Sequence, residues 1–338
     1  MLNKAYIDLN QLKANALAIK ARLNKGVKFC AVVKADAYGH GDATVANALY
    51  TIADCYAVAI VEEGVRLRRT GIDKDILVFT PPFLSDIERA INFGLTLTVC
   101  SLDLALLIEK ESKRQKVKTK IHLKFNTGMN RLGVDELEQL DKIAKRIAQS
   151  EWLILDGCYS HLGAPENKKL LKSAVNKFLL ANNLVKGYNK KAICHISASG
   201  GFLQGVQADM VRVGILLYGY KPFPSDLVKV KPIMKVYAPV VCSRTALKGQ
   251  NLLYGETTIS QDRKVKLIRY GYADGLPRIK GKNQVANRCM DISAVEFNGA
   301  KKWYPVMDNA SELANEYQTI PYEILVKATL RAERIYIT

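Results

Sequence analysis

Long apolar runs are missing from this chain. The longest candidates, such as 215–217, are short and broken by glycine, far below the roughly 20 residues a membrane-spanning helix needs. Paired cysteines are missing too. The seven cysteines, at 30, 55, 100, 158, 194, 242 and 289, are odd in number, scattered and free of any Cys-x-x-Cys spacing. That speaks against a disulfide frame or a zinc site and for reduced thiols, with no metal expected. The opening residues, Met-Leu-Asn-Lys-Ala-Tyr-Ile-Asp, contain no apolar signal core. The expectation is a cytoplasmic protein without a membrane partner. Acidic residues are the scarcer sign, 32 against 50 Lys and Arg, for a net charge of +18. Aromatics are few at 8 %, and the basic residues mix with acidic ones in segments such as Lys110–Lys120. No basic stripe interleaved with stacking rings is present, so a solvated basic surface is expected and a nucleic-acid partner is not.

What is there reads as globular: 49 % hydrophobic and 24 % charged over 338 residues, enough for one large domain and a smaller one. Eight short apolar or β-branched runs stand out: 27–33, 56–60, 76–80, 95–99, 120–125, 155–161, 192–197 and 210–215. Between them lie stretches of helical spacing, among them 43–52, 84–93, 102–108, 137–147 and 170–185. Runs apolar on both faces suit a buried parallel sheet. Eight β-then-α units in roughly 190 residues predict an α/β fold, a (β/α)₈ TIM-type barrel, with an open doubly wound sheet as the alternative. After Tyr220 the texture changes. Lys-Pro-Phe-Pro reads as a linker, and runs at 236–243, 252–258, 265–270, 290–297 and 324–330 predict a mostly-β domain with one helix near 311–317. The expected division is a barrel over 8–222 and a C-terminal β domain over 228–338, the latter joined by an N-terminal strand at 1–7.

In such barrels chemistry comes from the C-terminal ends of strands, with phosphate often held after strands seven and eight. Lys34 follows the first run, 126–133 the fifth, Ser160-His161 end the sixth, Ser197-Ala-Ser-Gly-Gly end the seventh, and Arg212 with Gly214-Ile215 lie on the eighth. A lysine after an apolar strand must be paired, reach solvent, or serve as an amine of lowered pKa suited to a Schiff base. Ser199 and the Gly214 turn offer a hydroxyl and free amides to a phosphate. A Schiff-base lysine with a phosphate cradle points to pyridoxal phosphate. Arg212, on a buried strand, demands a partner. His40 and His195 carry no metal-ligand spacing and read as structural.

Val-Val-Lys-Ala-Asp-Ala-Tyr-Gly-His-Gly around Lys34 resembles the cofactor-lysine signature of alanine racemases. So do Thr-Gly-Met-Asn-Arg-Leu-Gly, Tyr-Ser-His-Leu, Met-Val-Arg-Val-Gly-Ile-Leu-Leu-Tyr-Gly and Gly-Tyr-Ala-Asp-Gly-Leu-Pro-Arg, in order, with Cys-Met-Asp at 289–291 and Ile-Pro-Tyr-Glu at 320–323. The resemblance implies a pyridoxal-phosphate enzyme with Lys34 and Tyr272 as opposing acid–base groups, and interconversion of L- and D-alanine for peptidoglycan. It implies Arg212 against the pyridine nitrogen and Arg131 at the phenolic oxygen and the substrate carboxylate. Tyr38, Ser199, Tyr322, Gly214 and Ile215 would hold the phosphate. His161 would support Tyr272 and Arg212 by hydrogen bonds, and the Met290 amide would touch the substrate. Lys124 matches a position carbamylated in some members, and Tyr272 would reach the site of a partner in a homodimer. The family usually has Asp at 126, Gly at 130 and Asn-Ser-Ala-Ala where 198–201 stand, and its segment between Arg278 and Cys289 is usually longer. Racemisation of serine or of a broad range of amino acids stays open, as do a decarboxylase of the same fold type and a non-catalytic cofactor-binding protein.

Overall fold

The computed structural model describes residues 1–255, 258–296 and 302–338. These fall into two compact units, one of residues 13–35 and 42–230, the other of 1–12, 36–41 and 231–338.

In the first unit each of the eight apolar runs becomes a parallel strand. They are β2 (Lys28–Val32), β3 (Cys55–Val58), β4 (Ile76–Val78), β5 (Thr96–Val99), β6 (Thr119–Lys124), β7 (Leu153–Tyr159), β8 (Ile193–His195) and β9 (Met210–Val213), numbered after β1 (Asn3–Asp8) of the other unit. Pairing runs β8-β7-β6-β5-β4-β3-β2-β9. Asp209 N–H donates to Cys194 O and Arg212 N–H to Ser197 O, each at 3.0 Å, which brings the last strand against β8 and rounds the sheet into a barrel. β4, β5 and β9 are buried along their whole length; β4 is apolar throughout, while β5 and β9 carry the buried Thr96, Thr98 and Arg212 among apolar residues. Helices such as Leu102–Gln115 and Leu137–Ala148 bury one stripe each, the first opening on Ser101, whose hydroxyl caps the Leu104 amide.

The second unit is a six-stranded sheet. The long β10 (Met234–Ala246) lies antiparallel to β1, to β11 (Arg263–Ile268) and to β13 (Trp303–Met307). β12 (Ser293–Val295) pairs with β11, and β14 (Ala332–Ile337) runs parallel to β1. The opening strand therefore belongs to this sheet. Three C-terminal expectations change. The 324–330 run is no strand: a helix covers Pro321–Lys327, with Pro321 in its first turn, where a missing N–H costs nothing. β13 and β14 have no counterpart among the expected runs. At 252–258 only an isolated Asn251–Thr258 bridge forms, with 256–257 outside the described residues, as is Phe297 at the end of the 290–297 run. No helix among the described residues is long and apolar enough to cross a membrane.

Candidate active site

Immediately after β2 the chain makes a turn that L-residues avoid. Lys34–Tyr38 winds left-handed, with φ of 52°, 54°, 51° and 54° at Ala35, Asp36, Ala37 and Tyr38. Such a conformation costs about 1–2 kcal/mol per residue and persists only where neighbours hold it. Glu63, buried at 7 % exposure, holds its start: Oε1 accepts from Ala35 N at 2.7 Å and Oε2 from Ala59 N at 2.7 Å. At its far end, Gly41 N donates to Asp36 O at 2.9 Å, and the Arg334 guanidinium pairs with the Asp36 carboxylate. The strained turn thus begins directly after Lys34 and is held at both ends.

Around Lys34 the first unit gathers cations. Burial, then the charge of Arg131, lowers the Lys34 amine below its ordinary value, with Glu63 opposing. Lys124, at the end of β6, is 5 % exposed and lies 4.7 Å over the Tyr159 ring. Burial, reinforced by Arg212, lowers its pKa to about 7. No ion pair of Lys124 exists among the described residues. His161 feels burial first, then Arg212, Arg131, Lys124 and Lys34, and its pKa falls to about 3. It is a neutral imidazole at physiological pH.

Arg212 is 2 % exposed, and burial lowers its pKa to about 10. Its guanidinium donates to Ser160 O at 2.7 Å, to Ile196 O at 3.0 Å and to His195 Nδ1. The histidine that Arg212 bonds is thus His195, a residue whose sequence setting reads as structural. From His195 the bonds continue inward: Nε2 to His122 Nδ1 at 2.9 Å, and His122 Nε2 to Asp156 Oδ2 at 3.2 Å. The ends fix the tautomers. An arginine only donates and a carboxylate only accepts, so His195 and His122 each carry their proton on Nε2. Burial and Arg212 hold His195 well below its ordinary pKa, consistent with a neutral ring. No carboxylate pairs directly with Arg212 among the described residues, and its Nε–H has no protein partner there.

Ser199 is buried, and its Oγ accepts from Gly214 N at 3.3 Å, joining the ends of β8 and β9 where Ile215 is also buried. In the second unit, Tyr38 and Tyr322 lie 6.0 Å apart, ring to ring, and burial raises the Tyr322 pKa to about 12. Tyr272 opens a tight turn, Tyr272–Asp274, with Tyr272 N–H donating to Cys289 O at 3.1 Å and Ala273 N–H to Met290 O at 3.0 Å. A Cβ on Gly271 would sit 2.0 Å from Met290 O, so only glycine allows the two segments to meet. Asp274, 1 % exposed, anchors the turn by accepting from Gly271 N at 2.8 Å, Asn3 Nδ2 at 2.9 Å and Arg331 Nη2 at 2.7 Å. Tyr272 and Met290 themselves are 38 % and 54 % exposed.

Sequence reasoning missed Glu63, His122, Asp156, His195 and Asp274. The one available signal was that two histidines and an acid, His122, His195 and Asp156, sit within barrel strands.

Lys34, Lys124, Arg131 and Arg212 all act electrostatically on His161, and Glu63 is the carboxylate acting on Lys34. Such a site suits a ligand carrying several negative charges, with an amine free to bond covalently to a carbonyl. The class the fold defines is an eight-stranded parallel barrel with a separate, mostly-β unit. The alanine racemase N-terminal domain matches residues 7–222 and the alanine racemase C-terminal domain residues 233–336. The alanine racemase of Treponema denticola is 33 % identical over 372 residues, spanning 99 % of this chain and 98 % of the relative. That of Carboxydothermus hydrogenoformans is 32 % identical, over 98 % and 99 %. Among solved structures, alanine racemase from Clostridium difficile 630 superposes with a TM-score of 0.94 at 28 % identity, covering 100 % of this chain and 96 % of that one. Alanine racemase from Bacillus anthracis with bound L-Ala-P gives 0.91 at 27 %, over 99 % and 95 %. The chain belongs to the alanine racemase family, a family of isomerases.

Proposed function

We propose that this chain is a pyridoxal-phosphate-dependent racemase of alanine, working by two bases, Lys34 and Tyr272, and supplying D-alanine for peptidoglycan. The observation that carries this reading is the deprotonatable Lys34 beside Arg131 in a cluster of cations. The residues fit the cofactor. Lys34 would hold its aldehyde, Ser199 with the Gly214 and Ile215 amides its phosphate, together with Tyr38 and Tyr322, and the spare Nε–H of Arg212 its ring nitrogen. Bound there, the cofactor would withdraw electrons from the substrate Cα and so loosen its proton. The protein does the rest. Arg131 and the Met290 amide seat the substrate carboxylate. Lys34 takes or returns a proton on one face of Cα and Tyr272 on the other. Arg212, donating rather than offering a carboxylate, disfavours a protonated ring nitrogen and so restrains competing chemistry.

A homodimer completes the reading, Tyr272 of one copy facing Lys34 of the other. The exposure of Tyr272 and Met290 supports a surface role for both. The test is direct. Purified protein is expected to absorb visible light, to lose that absorbance when borohydride fixes the cofactor on Lys34, and to racemise L-alanine fastest in a panel of amino acids. A strong preference for serine or a basic amino acid would overturn the substrate, and carbon dioxide release would overturn the reaction.

Lys124 carries a second element of the proposal. Its unpaired amine, neutral in part at pH 7, would attack carbon dioxide, forming an N–C bond and releasing a proton, and the carbamate would lie among Arg131 and Arg212. Because the amine deprotonates as pH rises through about 7, incorporation of ¹³C-bicarbonate into a carbamate is expected to grow from pH 6 to 8. Carbon NMR should show the resonance and Lys124→Ala should remove it; no resonance at any pH would refute the modification.

A further inference from the structure

We infer that Asn126 is a positioning residue that sets the aim of Arg131 by locking the loop 126–133. This rests on Arg131 seating the substrate carboxylate, as proposed above. Among the described residues Arg131 makes no hydrogen bond or ion pair and is exposed, so its direction comes from the backbone that carries it. That backbone leaves β6 just after Lys124 and returns at Val134. The loop is stapled at its base, with Asn126 N–H donating to Val134 O and Val134 N–H to Lys124 O, both at 2.8 Å. Gly133, at φ 124°, closes the staple; a Cβ there would lie 2.9 Å from Asn126 N.

Within the loop one side chain does most of the holding. Asn126 Oδ1 accepts from Gly128 N at 3.0 Å and Asn130 N at 3.1 Å, while its Nδ2 donates to Asn130 Oδ1 at 2.8 Å and Asp135 Oδ1 at 2.7 Å. A primary amide has two N–H donors and one oxygen with two lone pairs, so all of its capacity is spent. Two of the four bonds end on Asn130, which sits at φ 56° and directly precedes Arg131. Asparagine tolerates that left-handed conformation better than most residues. The lock needs an amide and not a carboxylate. Aspartate at 126 could donate nothing: even with the Asn130 amide flipped to donate, its oxygens would face the Asp135 carboxylate.

Asn126→Asp and Asn126→Ala are therefore expected to raise the KM for L-alanine about tenfold while kcat stays within about threefold, since seating is lost before chemistry is. Amide hydrogen exchange across 126–135 in the cofactor-loaded enzyme should speed up in both variants, reporting the loop independently of turnover. In Asn126→Asp/Asp135→Asn the amide and carboxylate trade places, Asn130 can flip its own amide to donate, and KM should return to within about threefold of wild type. The inference is overturned if KM is unmoved whether or not exchange accelerates, if kcat collapses at constant KM, or if the paired exchange rescues nothing. A wild type that leaves alanine unchanged would instead sink the racemase reading, and with it any carboxylate for Arg131 to seat.

Discussion

Replacing Lys34 with alanine is expected to abolish alanine turnover while leaving the chain folded. The loss should exceed the roughly 10²–10⁴-fold that a missing acid–base group costs alone, because the same amine is assigned the covalent hold on the cofactor. Folding should survive because the left-handed turn is held through backbone groups, Ala35 N on Glu63 and Gly41 N on Asp36, and not through the Lys34 side chain. The amine is in fact a burden. Its native pKa is lowered chiefly by burial. Between that value and the ordinary 10.5, the unfolded chain binds more protons than the native one, so stability rises with pH across this window. Below the native value both states are protonated and the full penalty remains. Without cofactor, Lys34→Ala should therefore melt no lower than wild type at pH 7, with the advantage fading towards pH 10.5. Circular dichroism melting checks this; a variant that unfolds, or one that still racemises alanine, would refute the assignment.

Lys34 stands out in the sequence by contrast. β2 reads Lys-Phe-Cys-Ala-Val, and a cation so soon after it breaks an apolar background. The barrel is legible for the same reason. Strands covered on both faces bury nearly every side chain, so burial writes itself into sequence as largely apolar runs, and the few polar residues within them need partners. The β unit lacks that signal. Trp303–Met307 is half-buried with a proline inside it, and Ala332–Ile337 carries Glu333 and Arg334 among its apolar positions, so neither stands out. Pro321–Lys327 carries Ile324, Leu325 and Val326 in succession, which resembles a strand until Pro321 is weighed as a helix opener.

The partners of Arg212 are illegible for a different reason. His195 lies 17 positions away and His122 another 73 from His195, brought together only by the rounding of a sheet in which β7 separates the two histidine strands. Nothing local in Ile-Cys-His announces an arginine acceptor. The consequence is functional as well as descriptive. A buried guanidinium satisfied by two carbonyls and a neutral imidazole keeps its charge undiluted by a carboxylate, and Asp156 is set two rings away. Asn126 shows in the sequence only as a departure from a pattern; its four bonds explain why an amide stands there.

Tyr272→Phe is expected to lower the racemisation rate by about 10²–10⁴-fold, the range for removing one positioned acid–base group, in both directions. Inversion at Cα requires a proton to leave from one face and another to arrive on the opposite face, so one remaining base cannot complete it. That base can still exchange. In deuterium oxide, the variant should therefore wash the α-proton out of one enantiomer with retention of configuration far faster than it inverts either. A phenyl ring should not disturb the turn, since Gly271, Asp274 and the Cys289 and Met290 carbonyls fix its backbone, and the tyrosine side chain is 38 % exposed. Thermal stability is then expected to stay within error of the wild type, which separates lost chemistry from lost structure. By contrast, Asp274→Ala, which leaves Arg331 only Asp291 and frees the Gly271 amide, should lower stability and activity together. Racemisation by Tyr272→Phe within about threefold of wild type would remove Tyr272 from the chemistry and leave Lys34 to act with some other proton donor, or none.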